Sequence, residues 1–202
     1  MDLKPITQSK VIIVEGSDDE NLISALIQYI GLSGIQIISC EGKPVMPSVI
    51  KTVRNMPDFE NKVTSLGVVR DANDVADRTF QSVCTALANA SLSVPECPLA
   101  ITDGIPRVSV MIWPCDANKG ILEDVCLQSI ANYPEMMCVN QYFECLEKQG
   151  IEPSHKLSKA KVQTFLASGS EPYPHLGIGA LKDRWPFDNN AFDKVKQFLT
   201  NL

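Results

Sequence analysis

Short apolar runs alternate with amphipathic stretches through the first two thirds of the chain. Four runs rich in Val and Ile read as strands: KVIIVE (10–15), IQIISC (35–40), SLGVVRD (65–71) and RVSVMIWP (107–114). Helix-length segments follow them at 18–31, 44–56, 74–90 and 120–133, with apolar residues at i, i+3, i+4 spacing, as in Leu22, Ile23, Leu26, Ile27 and Ile30. Buried strands separated by helices argue for a mostly parallel sheet of four strands covered on both faces, so the chain is expected to be α/β. The stretch SLSVPECPLAITDGIPR (91–107) is rich in Pro, Ser and turn residues and reads as an excursion before the fourth strand, with a short hairpin as one form it could take. After residue 134, helices are expected at 135–149 and 157–167, then a Gly-rich turn region, LGIGALKD, and a closing helix, NNAFDKVKQFLTNL. No repeat, low-complexity tract or linker breaks the pattern. One domain over 1–202 is expected, with a core at 8–134 and a C-terminal helical extension at 135–202 packed on the sheet.

A chain of 202 residues is long enough to bury one substantial core. Its formal charge of -6 argues against gripping nucleic acid through a broad basic face. Nucleic-acid chemistry is still open to it, because a divalent ion can bridge an acidic pocket to phosphate. Seven cysteines, an odd number with no CxxC pair, read as reduced and mostly buried thiols rather than a zinc site. With only His155 and His175 as imidazoles, a histidine-rich metal site or a His-based triad is poorly supplied. No apolar run approaches the roughly 18 residues that span a bilayer, and MDLKPITQSK lacks a secretory signal, so a cytoplasmic protein with no membrane contact is expected.

The chemistry concentrates where strands end. "VIIVEGSDDENL" (11–22) runs from a buried strand into four carboxylates, Glu15, Asp18, Asp19 and Glu20. Strand three ends in Asp71, followed by Asn73 and Asp74, and the helix after strand four opens with Glu123 and Asp124. In an open parallel sheet, ligands bind at the carboxyl ends of the strands. If strands one and three are neighbours, Glu15 and Asp71 converge, and oxygen ligands of that kind suit a hard cation such as Mg²⁺. Helix capping also accounts for part of the pattern. Ser17-Asp18-Asp19-Glu20 matches the S-x-x-E capping box, acids in a first turn suit the helix dipole, and Asp71 could cap the helix that follows it. Glu15, at a strand end before a glycine, is neither a cap nor a core residue.

A hydrophobic strand ending in E-G-x-x-D, and a later strand ending in D-x-D within such a chain, resemble the Toprim domain of topoisomerases, primases, the ribonuclease that matures 5S rRNA and OLD-family nucleases. The two motifs here are "IIVEGSDDE" and "GVVRDANDVADR". With "EGKPVMPSVIKTV", "KGILEDVCL" and "DRWPFDNNAFDKVKQFL", the chain looks most like small stand-alone Toprim proteins related to the OLD nucleases. The resemblance implies a Toprim (Rossmann-like) fold and a metal site for Mg²⁺ or Mn²⁺. Glu15 would serve as metal ligand or general acid–base, Asp19 and Asp71 as ligands, and Glu123 and Asp124 as supports for a second ion. Asn73 stands where the second aspartate of D-x-D belongs; its carbonyl can still meet Mg²⁺, without the charge, and Asp74 is the compensating candidate. Lys182 falls near the C-terminal position of the OLD-like catalytic lysine. Trp185 and Phe187 read as core rather than as a base-stacking platform.

Two functions follow as expectations. One is a metal-dependent phosphodiester hydrolase acting on DNA or RNA. The other is a catalytically weakened Toprim module that binds nucleic acid, nucleotide or a partner protein in a defence or regulatory system. The chain has no G-x-x-x-x-G-K-[ST], so an ATPase of the kind that accompanies OLD-like proteins would be a separate polypeptide. A phospho-receiver domain fits less well, since paired acids do not close strand one directly.

Overall fold

The structure, a computed structural model, describes residues 3–40, 45–152 and 156–202. Strands β1 (Lys10–Val14), β2 (Ile35–Ser39), β3 (Ser65–Asp71) and β4 (Arg107–Trp113) form one sheet in the order β2-β1-β3-β4. Every pairing is parallel, with Ile13 opposite Val68 and Asp71 opposite Trp113. The α/β expectation and the adjacency of strands one and three are both met. All four carboxyl ends therefore lie on one edge of the sheet.

Alternation along the strands divides the core in two. Val11, Ile13, Leu66, Val68, Val108 and Val110 face one side. Ile12, Val14, Val69, Met111 and Trp113 face the other. On that second face the first helix, α1 (Ser17–Tyr29), buries Leu22, Ile23 and Leu26 completely. It starts one residue before the expected 18–31 segment, because the Gly16 N–H donates to the Asp19 carboxylate at 3.2 Å, which shifts the capping box off the S-x-x-E register.

Helix α2 (Met46–Arg54) lies within the expected 44–56 segment, and the resemblance stretch EGKP at 41–44 lies outside the described residues. A single turn, α3 (Phe59–Lys62), follows it and was not foreseen. Helix α4 (Ala76–Asn89) begins two residues later than the acidic pattern suggested, because Asn73 sits at φ 57 and exchanges two backbone hydrogen bonds with Gly120. Helix α5 (Leu122–Ser129) stops short of residue 133, and Pro134, suited to a first helical turn, opens α6 (Pro134–Lys148). Helix α7 (Leu157–Ala167) spans the segment expected for it. The excursion before β4 returns as a hairpin-like contact, Ile101 bridging Ser109 and the Thr102 N–H donating to Val108 at 3.0 Å.

The Gly-rich LGIGALKD segment is not a turn but a short helix, α8 (Leu176–Ala180). Its glycine serves a close approach: a Cβ on Gly177 would sit 2.7 Å from Asn21 Cβ and 3.0 Å from Asp18 Cα of α1. The chain closes with a 3-10 turn at Asn190–Phe192 and α9 (Asp193–Asn201). Phe165, Ala180, Phe192 and Leu199 join the same core as β1 and α1, so the C-terminal helices lie on the sheet as expected. Trp185 and Phe187 are buried there too.

All seven cysteines are free, but only Cys40, Cys84 and Cys126 are buried; Cys115 is half-buried and Cys97, Cys138 and Cys145 are exposed, contrary to the expectation of mostly buried thiols. Among the described residues, no helix is long and apolar enough to cross a membrane.

Candidate active site

A cavity of about 980 Å³ opens beside the carboxyl ends of the strands. Glu15, Asp71, Asn73, Asp74 and Asp124 line it. Lys119, Lys156 and Lys159 line it as well. The strand topology explains the acids: Glu15 follows β1, Asp71 ends the neighbouring β3, and Asp124 opens α5 after β4.

Each acid is held differently. Asp71 Oδ1 accepts the Leu122 N–H at 2.9 Å, so it caps α5 rather than the helix that follows it in sequence. Its carboxyl is pushed up to about 8, chiefly by burial and then by the charges of Asp19, Glu15 and Glu123, with the Leu122 N–H opposing them. Asp19 is buried in the first turn of α1; Oδ1 accepts the Trp113 indole N–H at 2.9 Å and Oδ2 the Gly16 N–H. Burial pushes Asp19 up to about 7, against the pull of Trp113, with Glu15 and Glu123 raising it again. These carboxylates lie within reach of one another's fields, which is the electrostatic condition that a hard cation relieves.

Glu15 keeps only 13% of its side chain accessible, and its Oε2 lies 3.7 Å from Arg70 Nε. The Arg70 guanidinium also donates to Ser82 at 3.3 Å. Nearby, burial pushes the Cys40 thiol up to about 12, with Glu15 raising it and Arg70 opposing, so this thiol is inert at neutral pH.

Asn73 occupies the left-handed region at φ 57 and donates its side-chain amide to the Asp71 carbonyl at 3.0 Å. An aspartate could not donate that bond, so asparagine has a local structural reason to be there. Asp74 is exposed on the cavity wall.

Glu123 is buried at 6% exposure and its Oε1 lies 3.2 Å from Lys159 Nζ. Asp124 accepts the Ile121 N–H at 2.8 Å through Oδ2 and the Ser158 hydroxyl at 2.5 Å through Oδ1. Gly120 makes room for it. With φ at 135, a Cβ on Gly120 would stand 2.7 Å from both Asp124 Oδ2 and a Pro114 ring carbon.

The structure brings Glu15, Asp71, Asn73, Asp74 and Asp124 to one cavity and sets Asp19 and Glu123 against it. Lys182 is exposed after α8 and is not among the cavity-lining residues. Lys119, Lys156 and Lys159 stand at the acids instead, with Lys159 against Glu123, and the sequence singled out none of them, nor Arg70 or Ser158. Burial would lower the Lys159 ammonium, but Glu123, by charge and hydrogen bond, and then Asp71 and Asp18, leave it above its ordinary value. A signal was available in "KLSKAK": Lys156 and Lys159 stand at the N-terminal end of α7, where the helix dipole disfavours cations.

Carboxylates and an amide carbonyl are the donors Mg²⁺ and Mn²⁺ take, so the residues fit such an ion by chemistry. Among the described residues, no three His, Cys, Asp or Glu side chains are drawn together closely enough to hold an ion as they stand. Holding one would require the carboxylates on this wall to move together.

The architecture has solved counterparts. The C-terminal region of the Burkholderia pseudomallei OLD protein matches with a TM-score of 0.52 at 15% identity, over 97% of this chain and 98% of that one. The corresponding region of the Xanthomonas campestris pv. campestris OLD protein matches with a TM-score of 0.50 at 12% identity, over 97% and 96%. At such identities the likeness is one of fold, and the fold is Toprim-like, as in these OLD regions. No curated protein matches the sequence. The family described as "Protein of unknown function (DUF3226)" matches residues 9–202, nearly the whole chain, and the protein belongs to that family.

Proposed function

We propose that the protein is a metal-dependent phosphodiester hydrolase that acts on the backbone of DNA or RNA in the cytoplasm. The observation that carries this reading is the composition of one cavity wall: half-buried acids from the ends of β1 and β3 and the start of α5, backed by the buried Asp19 and Glu123 and faced by lysines from the β4–α5 loop and the start of α7. Acids of that kind suit a divalent cation, and lysines suit the phosphate it would bridge to.

Glu15 and Asp71 would hold Mg²⁺ or Mn²⁺, with the Asn73 carbonyl and Asp74 as further oxygen donors. When bound, such an ion polarises a phosphoryl oxygen and makes a water more acidic. Asp19, fixed by Trp113 and Gly16, keeps the loop after β1 in place and adds negative charge behind the ion site. Lys119, Lys156 and Lys159 meet the non-bridging oxygens of the substrate and orient the scissile phosphate over the acids. With a formal charge of -6, attraction to nucleic acid is confined to this rim.

One observation favours a second reading, a module that binds without cutting. Asn73 uses its side-chain amide within its own turn and brings no second carboxylate there. Calorimetric titration with Mn²⁺ and Mg²⁺, on wild type and on Glu15→Gln with Asp71→Asn, tests the ion site. Binding in wild type that is lost in the double variant supports it. Wild type that binds neither ion overturns it and leaves Asp19, Asp71 and Asp124 as helix caps.

A further inference from the structure

On the reading of this cavity as an ion site, we infer that Lys159 fills the second cation position of the acidic wall, so that one divalent ion binds per chain and the Lys159 ammonium serves Glu123 in place of another. Glu123 is the acid on which a second ion would rest, with water filling the remaining positions, and both it and Asp124 already have protein partners. The Glu123 carboxylate is almost fully buried, and the contact with Lys159 at 3.2 Å supplies the countercharge that a buried carboxylate requires.

Asp124 is committed on both oxygens. Oδ2 takes the Ile121 N–H at 2.8 Å and Oδ1 the Ser158 hydroxyl at 2.5 Å. Its seat also depends on Gly120, since a Cβ there would stand 2.7 Å from Oδ2. Turning this carboxylate to an ion would break the cap of α5 and the tie to α7 together.

The placement of Lys159 supports a dedicated role. A cation in the first turn of α7 opposes the helix dipole, so helix formation gives no reason for it. Ser158 and Lys159 are consecutive, and each engages one member of the Glu123–Asp124 pair. One turn of α7 thus closes both acids. An ammonium also has three N–H donors, so the group that answers Glu123 can meet a phosphoryl oxygen as well.

The test is the stoichiometry of Mn²⁺ binding, read by calorimetry and by the electron paramagnetic resonance spectrum of the loaded full-length chain. Wild type and Lys159→Arg are expected to bind one Mn²⁺ with a mononuclear spectrum. Lys159→Gln, which leaves Glu123 without a countercharge, is expected to bind two, with a spin-coupled spectrum. Adding Glu123→Gln to Lys159→Gln should return the count to one. Wild type that binds two ions overturns the inference and leaves the hydrolase reading standing. Lys159→Gln that still binds one ion, while folded by circular dichroism, also overturns the inference alone. Wild type that binds none overturns both.

Discussion

Metal-free protein should be more stable at pH 6 than at pH 8, and Asp71 should carry most of the difference. Its carboxyl is pushed from 3.8 up to about 8, and that of Asp19 from 3.8 up to about 7. A carboxyl raised in the folded state favours folding fully below its unfolded value, and that contribution is lost as the pH climbs to the folded value. Over most of the interval between pH 6 and pH 8, the unfolded chain has released the Asp71 proton and the folded chain still holds it. Each such group costs about 1.4 kcal/mol per pH unit. The Asp19 part saturates near pH 7, so the two together amount to about 4 kcal/mol over the two units. For a chain of this size that is a melting shift of roughly 8 to 16 °C. Asp71→Asn keeps an oxygen for the Leu122 N–H and removes the larger of the two contributions, leaving only the Asp19 part of about 1.4 kcal/mol. Thermal melts in a chelator at pH 6, 7 and 8 should therefore show less than half the wild-type slope in this variant. An unchanged slope in Asp71→Asn, or a wild type no more stable at pH 6 than at pH 8, would refute the reasoning.

Gly120→Ala places a methyl 2.7 Å from Asp124 Oδ2 and from Pro114 at a φ of 135, and should destabilise the fold by about 2 to 4 kcal/mol in urea melts. A loss below about 0.5 kcal/mol would contradict the tight seat assigned to Asp124. If the hydrolase reading holds, Lys159→Ala should lower kcat at least about 100-fold, the range for losing a charge aimed at a transition state, whereas Lys182→Ala should stay within about twofold of wild type. The reverse order would return the catalytic lysine to the region after α8.

The sheet was legible because it rests on local signals, short apolar runs and the helix spacing between them, and the acids were legible because strand ends in a parallel sheet share an edge. Glu15 meets Asp71 only because β1 and β3 are neighbours, a strand order that the sequence reading had to assume and the sheet has. The lysine was not legible by the same route. Lys159 meets Glu123 across 36 positions, and only the folding of α7 onto α5 joins them. Glycines misled where packing set their purpose, as at Gly177, which lets α8 reach α1 instead of turning the chain. Capping was partly legible. Asp19 and Asp124 do cap their own helices, whereas Asp18 takes the Gly177 N–H of α8, Glu123 pairs with Lys159, and Asp71 serves α5, partners that the local sequence cannot reveal.

The central claim is that this wall of acids and lysines cuts a phosphodiester with a divalent ion. The most direct measurement is cleavage of single-stranded DNA, RNA and plasmid DNA in Mn²⁺ and in Mg²⁺ by wild type beside Glu15→Gln. The account predicts ion-dependent cleavage of at least one substrate by wild type and a loss of about 100-fold or more in the variant. Wild type that binds the ion and cleaves nothing, or a Glu15→Gln protein that cleaves as well as wild type, would contradict it.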